Sequence, residues 1–358
     1  MEDLVKSSRK TIYCQLQFLE SICKNDNDTY GSNGDVNFLE IIRDSIIYFD
    51  KSEEVIKSHQ SSNYYITKLI KMDIEGDCFI DWQEGDLKLK EYVNDYIERD
   101  GINDFSPILF VYQAKKQQKS NNNLCQKYNS LYGLMMFDQD SYKEMEYVFQ
   151  DCGCAIKKDS ENGWKDSFAY KRFFGNSLIV IDDYLIDKTD SFAANLYELL
   201  DIFLPCNQTI PFYLTFISSS KNYDFNVRAQ AIENKVKELR PKYFQKGNEL
   251  YGKIRMNIIE DSNNVFHDRV ILTNYCWISC GCGFDLYKNN GKAKHSTTIS
   301  LVYPFLQNRI KWSKEAYLNF ICDSREVFDK VEKNHKWYGG DLSKNRLLMM
   351  DKISENLT

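Results

Sequence analysis

Between residues 177 and 259 the sequence alternates two periodicities, and this alternation leaves few folds open. Residues 177–186 (SLIVIDDYLI), 210–217 (IPFYLTFI) and 253–259 read as strands. Between them, residues 192–204 place Phe192, Leu196, Leu199, Leu200 and Phe203 along one helical face. Residues 226–240 form a second expected helix, capped at Asn226 and stopped before Pro241. Strand–helix–strand–helix–strand implies a parallel sheet with right-handed crossovers. Ligands of such sheets gather at the carboxyl ends of the strands. Asp182, Asp183 and Tyr184 stand at the end of the first strand, where a site would form.

Downstream, residues 265–284 (VFHDRVILTNYCWISCGCGF) read as two strands around a polar turn. His267 and Arg269 are two positions apart, Asn274 follows after four residues, and Gly281 after six more. This spacing resembles the H-x-K-x4-D-x6-G pattern of the phospholipase D superfamily, with Arg in place of Lys and Asn in place of Asp. In that superfamily the His attacks phosphorus or protonates the leaving group. The Lys neutralises phosphate oxygens, and the Asp orients the imidazole. An active site there joins two motifs. The resemblance implies that Arg269 binds phosphate through its planar fork, and that Asn274 orients His267 by a hydrogen bond but supplies no charge. Loss of the carboxylate from a related triad lowers the rate by roughly 10⁴. Asp268 or Asp182 could substitute from another direction. His59, His295 and His335 begin no second motif, so catalysis would need a homodimer.

More narrowly, the same segment resembles the phospholipase-D-like C-terminal domain of MIT-domain proteins. The shared features are His267-Asp268-Arg269, Trp277 and the turn Gly281-Cys282-Gly283-Phe284-Asp285. The likeness covers this motif and, loosely, the strand–helix order from Ser177 onward, less than half of the chain. It implies binding of an acidic lipid or protein partner without catalysis. Related modules occur in bacterial conflict systems. Cys282 stands where that family has a basic residue, and no MIT helical hairpin is recognisable, which weighs against a membrane role.

Composition narrows the classes further. The 358 residues allow two domains, and a net charge of −6 argues against a generally basic nucleic-acid binder. Abundant Asn, Lys and Ile with only 5 Pro point to an AT-rich, bacterial genome. No apolar run is long enough to span a bilayer. Charges interrupt the first apolar residues, so no signal peptide is expected. The 11 scattered Cys then imply a reducing cytoplasm and mostly buried thiols. The N-terminal region reads as mainly helical, with Val5, Ile12, Leu16, Leu19 and Ile22 on one face and a second periodic run at 38–49. Residues 107–112 form a buried strand, and 115–123 (KKQQKSNNN) an exposed loop.

Three other segments merit a reading. Asp73, Glu75, Asp77, Asp81 and Glu84 fall at calcium-loop positions, but Cys78 replaces the turn glycine. An acidic turn leading into a strand is expected there instead. Residues 288–295 (KNNGKAKH) form a basic hairpin turn that would widen a phosphate surface. Residues 337–346 (WYGGDLSKNR) resemble a docking tail without nucleotide-loop spacing.

The expected fold is α/β, with an α-rich N-terminal domain over 1–165 and a phospholipase-D-like mixed-sheet domain, flanked by helices, over 166–358. The expected function is non-catalytic recognition of a phosphate-bearing partner, nucleic acid before lipid, in a bacterial defence setting. His267, Arg269, Asn274, Asp182 and Asp183 are the expected ligand-binding residues. His267 and Asn274 would be catalytic if the protein is an enzyme, a metal-independent homodimeric phosphodiesterase or nuclease. A third expectation is an adaptor with a vestigial site, with a protein partner bound through the N-terminal domain. No cofactor and no metal are implied.

Overall fold

The computed structural model describes residues 9–26, 34–98, 107–112, 125, 127–142, 151–161, 163–168, 171, 173–219, 224–244, 253–261, 265–304, 311–332, 337–339, 345 and 347–348. The expected loop at 115–123 and most of the 337–346 tail lie outside these residues. The fold is α/β, in two compact units. One comprises residues 1–150 with 304–311 and 353–358; the other comprises 151–303 and 312–352.

The first unit adds to its expected helices a five-stranded, wholly parallel sheet, of which the sequence suggested only the strands near 79–81 and 107–112. Its strands are β1 (Lys10–Cys14), β2 (Ser45–Phe49), β3 (Phe79–Asp81), β4 (Ile108–Phe110) and β5 (Met135–Phe137), in the order β3-β2-β1-β4-β5. Helices α1 (Leu16–Asp26), α2 (Gly34–Ile42), α3 (Glu53–Ser58), α4 (Tyr64–Glu75) and α5 (Leu89–Glu98) connect them. All five residues of β1 are buried. A strand covered on both faces reads as an apolar run, and a short one merges with the helix beside it. Ile12 thus belongs to a strand, not to the helical face it shares in sequence with Leu16 and Leu19.

The acidic segment at 73–84 is the end of α4 and the start of β3. Gly76 adopts a left-handed φ of 77° and closes the helix, and the Asp73 carboxylate accepts the Ile80 N–H at 2.8 Å. Cys78 is buried and donates its thiol to the Leu69 carbonyl.

The second unit holds the expected mixed sheet. Its strands are β6 (Cys152–Ile156), β7 (Ser177–Ile181), β8 (Phe212–Ser218), β9 (Ile254–Glu260), β10 (Val270–Thr273), β11 (Trp277–Cys280), β12 (Thr297–Val302) and β13 (Trp337–Tyr338). Their order is β13-β9-β8-β7-β10-β11-β12-β6. β7, β8 and β9 are parallel, and every other pairing is antiparallel. All residues of β7 and β8 are buried, as expected for strands covered on both sides.

Helices of this unit are α6 (Trp164–Ser167), α7 (Leu196–Phe203), α8 (Phe225–Leu239) and α9 (Lys311–Glu332). α7 buries Leu196, Leu199, Leu200 and Phe203, the expected face. α8 buries Ala229, Ile232 and Val236 and lies against β9 and β13. Its cap is Asp224 rather than Asn226: the Asp224 carboxylate accepts the N–H groups of Asn226 and Val227. Arg240 ends the helix and ties it to α7, donating to the carbonyls of Asp201 and Leu204 and pairing with the Asp201 carboxylate at 3.1 Å. No described helix is long and apolar enough to cross a membrane.

Candidate functional site

The site forms where β7 ends and β10 begins. Val270 pairs with Ile181, so the antiparallel register sets Arg269 opposite Asp182. Asp182 is 3 % exposed and organises both loops there. One carboxylate oxygen accepts the N–H groups of Tyr184 and Leu185 at 2.7 and 2.8 Å. The other accepts the Phe284 N–H at 2.7 Å, from the turn after β11. Burial raises the Asp182 pKa; the three N–H donors and the nearby Arg269 charge oppose that rise.

Gly283 lets this turn come close. Its φ is +84°, and a Cβ there would stand 2.8 Å from Asp182 Oδ2 and 3.5 Å from Arg269 Cγ. Arg269 is half-buried, with its guanidinium carbon 5.7 Å from the Tyr184 ring centroid. Among the described residues, no carboxylate lies within 4.0 Å of that guanidinium. His267 and Asp268 are exposed beside it. No hydrogen bond joins His267 to another described residue.

Two of the expected residues have other duties. Asn274 lies at the opposite end of β10 from His267, so it does not orient the imidazole. Its Oδ1 accepts the N–H groups of Asn176 and Ser177, both at 2.9 Å, and its Nδ2 donates to Asn176 Oδ1. Gly175, at φ +98°, approaches the Asn274 amide so closely that any Cβ there would collide with it. Asp183 faces the end of β8, where its carboxylate accepts the N–H and hydroxyl of Ser219 at 2.9 and 2.5 Å. The structure therefore brings together Asp182 and Arg269, with His267 exposed two residues before Arg269. Asn274 and Asp183 anchor neighbouring backbone.

A second carboxylate supports the same end of the sheet. Asp285 is buried and accepts from the Ser191 hydroxyl and from Asn195 Nδ2 at 3.1 Å. Lys294 pairs with it at 2.7 Å and Lys188 at 3.3 Å. Two ammonium groups thus share one carboxylate. Lys188 Nζ also sits 4.8 Å from the Tyr184 ring centroid. An open cleft of about 470 Å³ follows, lined by Lys188, Lys288 and Lys294 together with Asp187 and Asp190. Lys288 and Lys292 of the basic turn pair with Asp159 and Glu161 at 3.4 Å each. Asp285 was within view in the Gly281–Asp285 turn. Ser191, Asn195 and Lys188 carried no motif, because residues on a loop far from 285 in sequence give no local periodicity.

All 11 Cys are free; five are buried, fewer than the expected majority. Burial pushes the Cys276 and Cys280 thiols up to about 12, and the Cys282 neighbour adds to the effect at Cys280. Both stay neutral near pH 7 as free thiols. Among the described residues no three His, Cys, Asp or Glu side chains converge as a metal-holding group.

No protein-family model and no curated protein matches the chain.

Proposed function

We propose that this protein recognises a phosphate-bearing partner, nucleic acid before lipid, through Arg269 and His267 at the carboxyl end of β7, without hydrolysing it on its own. The observation that carries this reading is the Arg269 guanidinium. It is half-buried at a sheet end where ligands of α/β folds gather, with no described carboxylate within 4.0 Å. Asp182 lies nearby but is committed to three backbone N–H groups; a partly desolvated cation with no carboxylate in ion-pair contact attracts an anion, and its fork suits phosphate. The resemblance to the phospholipase D superfamily points the same way. A bacterial defence setting is part of the proposal by analogy alone.

The lack of an orienting partner for His267 among the described residues supports the absence of turnover. Asn274 is committed to the start of β7, so His267 has no orienting group on its own strand. Asp182 is committed to three backbone N–H groups. His267 is nevertheless exposed, and a second copy could meet it. A dimeric phosphodiesterase is therefore the alternative. The test is hydrolysis of bis(p-nitrophenyl) phosphate in EDTA, with oligonucleotide binding measured alongside. The proposal expects binding that Arg269→Ala weakens, and no turnover. Turnover abolished by His267→Ala and lost on dilution would establish the dimeric enzyme instead. Absence of both activity and anion binding would favour a protein-interaction adaptor with a vestigial site.

A further inference from the structure

Tyr184 is a large aromatic side chain left 43 % exposed beside the phosphate site. Its backbone is fixed: the Tyr184 N–H is held by Asp182, and its carbonyl accepts the N–H groups of Asp187 and Lys188. That turn brings Lys188 Nζ to 4.8 Å from the ring centroid, while Arg269 approaches to 5.7 Å. An exposed ring with two cations close by suits a base and its neighbouring phosphates, because single-strand binding combines stacking aromatics with basic groups along the backbone.

The surroundings favour a single strand over a duplex. A duplex hides its base faces and is gripped along rows of phosphates by an extended basic surface. This chain has a net charge of −6, and the adjoining cleft mixes Lys288 and Lys294 with Asp187 and Asp190. The positive charge near Tyr184 is local, supplied by Arg269 and by the two lysines that share Asp285. An unpaired base can reach an exposed ring, and stacking tolerates any sequence because every base has a π-face.

We propose that the partner is single-stranded nucleic acid, with one base stacked on Tyr184 and the flanking phosphates held by Arg269 and Lys188. This rests on the phosphate-recognition reading above and names its ligand class.

The test uses the full chain and fluorescence anisotropy with two labelled strands of equal length. One is an oligothymidylate; the other is an abasic strand with the same phosphates. Stacking on one aromatic is worth about 5- to 150-fold in affinity. Tyr184→Ala should lose about that factor on oligothymidylate and nothing on the abasic strand, whereas Tyr184→Phe should retain wild-type affinity for both. Tyr184 is exposed, so the variants should melt as the wild type does. Equal wild-type affinity for both strands would overturn the stacking assignment while leaving phosphate recognition standing. Binding of phosphatidylserine vesicles but of neither strand would keep a phosphate site and overturn nucleic acid as its ligand. Binding of none of these would overturn both.

Discussion

Gly283→Ala should destabilise the second unit by about 2–5 kcal/mol. A non-glycine residue in the left-handed region costs about 1–2 kcal/mol, and Gly283 has φ +84°. The new methyl would also stand 2.8 Å from Asp182 Oδ2. That carboxylate cannot retreat freely, because Tyr184 and Leu185 hold its other oxygen at 2.7 and 2.8 Å. Relief therefore stretches the Phe284 N–H bond, and a buried donor left unsatisfied costs about 1–3 kcal/mol. Gly281→Ala is the matched control. An added Cβ there meets only Thr297 Oγ1, at 3.5 Å, so it should change stability by less than about 0.5 kcal/mol. Urea denaturation followed by tryptophan fluorescence reads the difference, since Trp164 and Trp277 both lie in this unit. Equal stability of the two variants would refute the role given to Asp182 and to the turn it clamps.

Restoring the superfamily pattern with Asn274→Asp should create no phosphodiesterase activity, because position 274 is at the far end of β10; a metal-free turnover gained by this change would contradict that. Asn274→Ala should cost about 1–3 kcal/mol for each of the Asn176 and Ser177 N–H groups it orphans, measured by the same denaturation. The raised Asp182 pKa gives a pH dependence with a definite sign. Its stabilising contribution is complete below the ordinary carboxylate value of about 3.9 and is lost as pH rises through the higher folded value. The stability of wild type relative to Asp182→Asn should therefore fall as pH rises from about 4, and a difference that grows with pH would be the wrong sign.

The parts of the fold that sequence made legible are those with a single clear periodicity. β7, β8 and β9 are long, fully or largely buried runs, and α7 and α8 between them show their apolar faces plainly. The first unit was legible only in part. The expected strands at 107–112 and after the acidic turn are β4 and β3, whereas β5, with three residues, is too short for alternation to register. β1 is separated from α1 by Gln15 alone, so strand and helix residues fuse into one apparent face. The site was half legible for a related reason. The spacing from His267 to Asn274 matches a motif, but four of the residues between them form β10. A strand rises about 3.3 Å per residue, so linear spacing along it separates groups that the same spacing on a helix would align. Arg269 and Asp182 meet through strand pairing, which only the register reveals.

If Arg269 holds a phosphate, it must contribute to the salt dependence of binding. For single strands, log K falls with log salt at about −0.7 per phosphate neutralised. Oligothymidylate affinity should be measured by anisotropy over a range of sodium chloride for wild type, Arg269→Ala and Lys71→Ala. Lys71 is an exposed helix lysine of the first unit, paired with Glu75 at 3.5 Å, and serves as the control. Arg269→Ala should bind more weakly, with a slope shallower by about 0.7, and Lys71→Ala should leave the slope unchanged. Identical slopes in all three proteins, or no binding by the wild type at low salt, would contradict phosphate binding by Arg269.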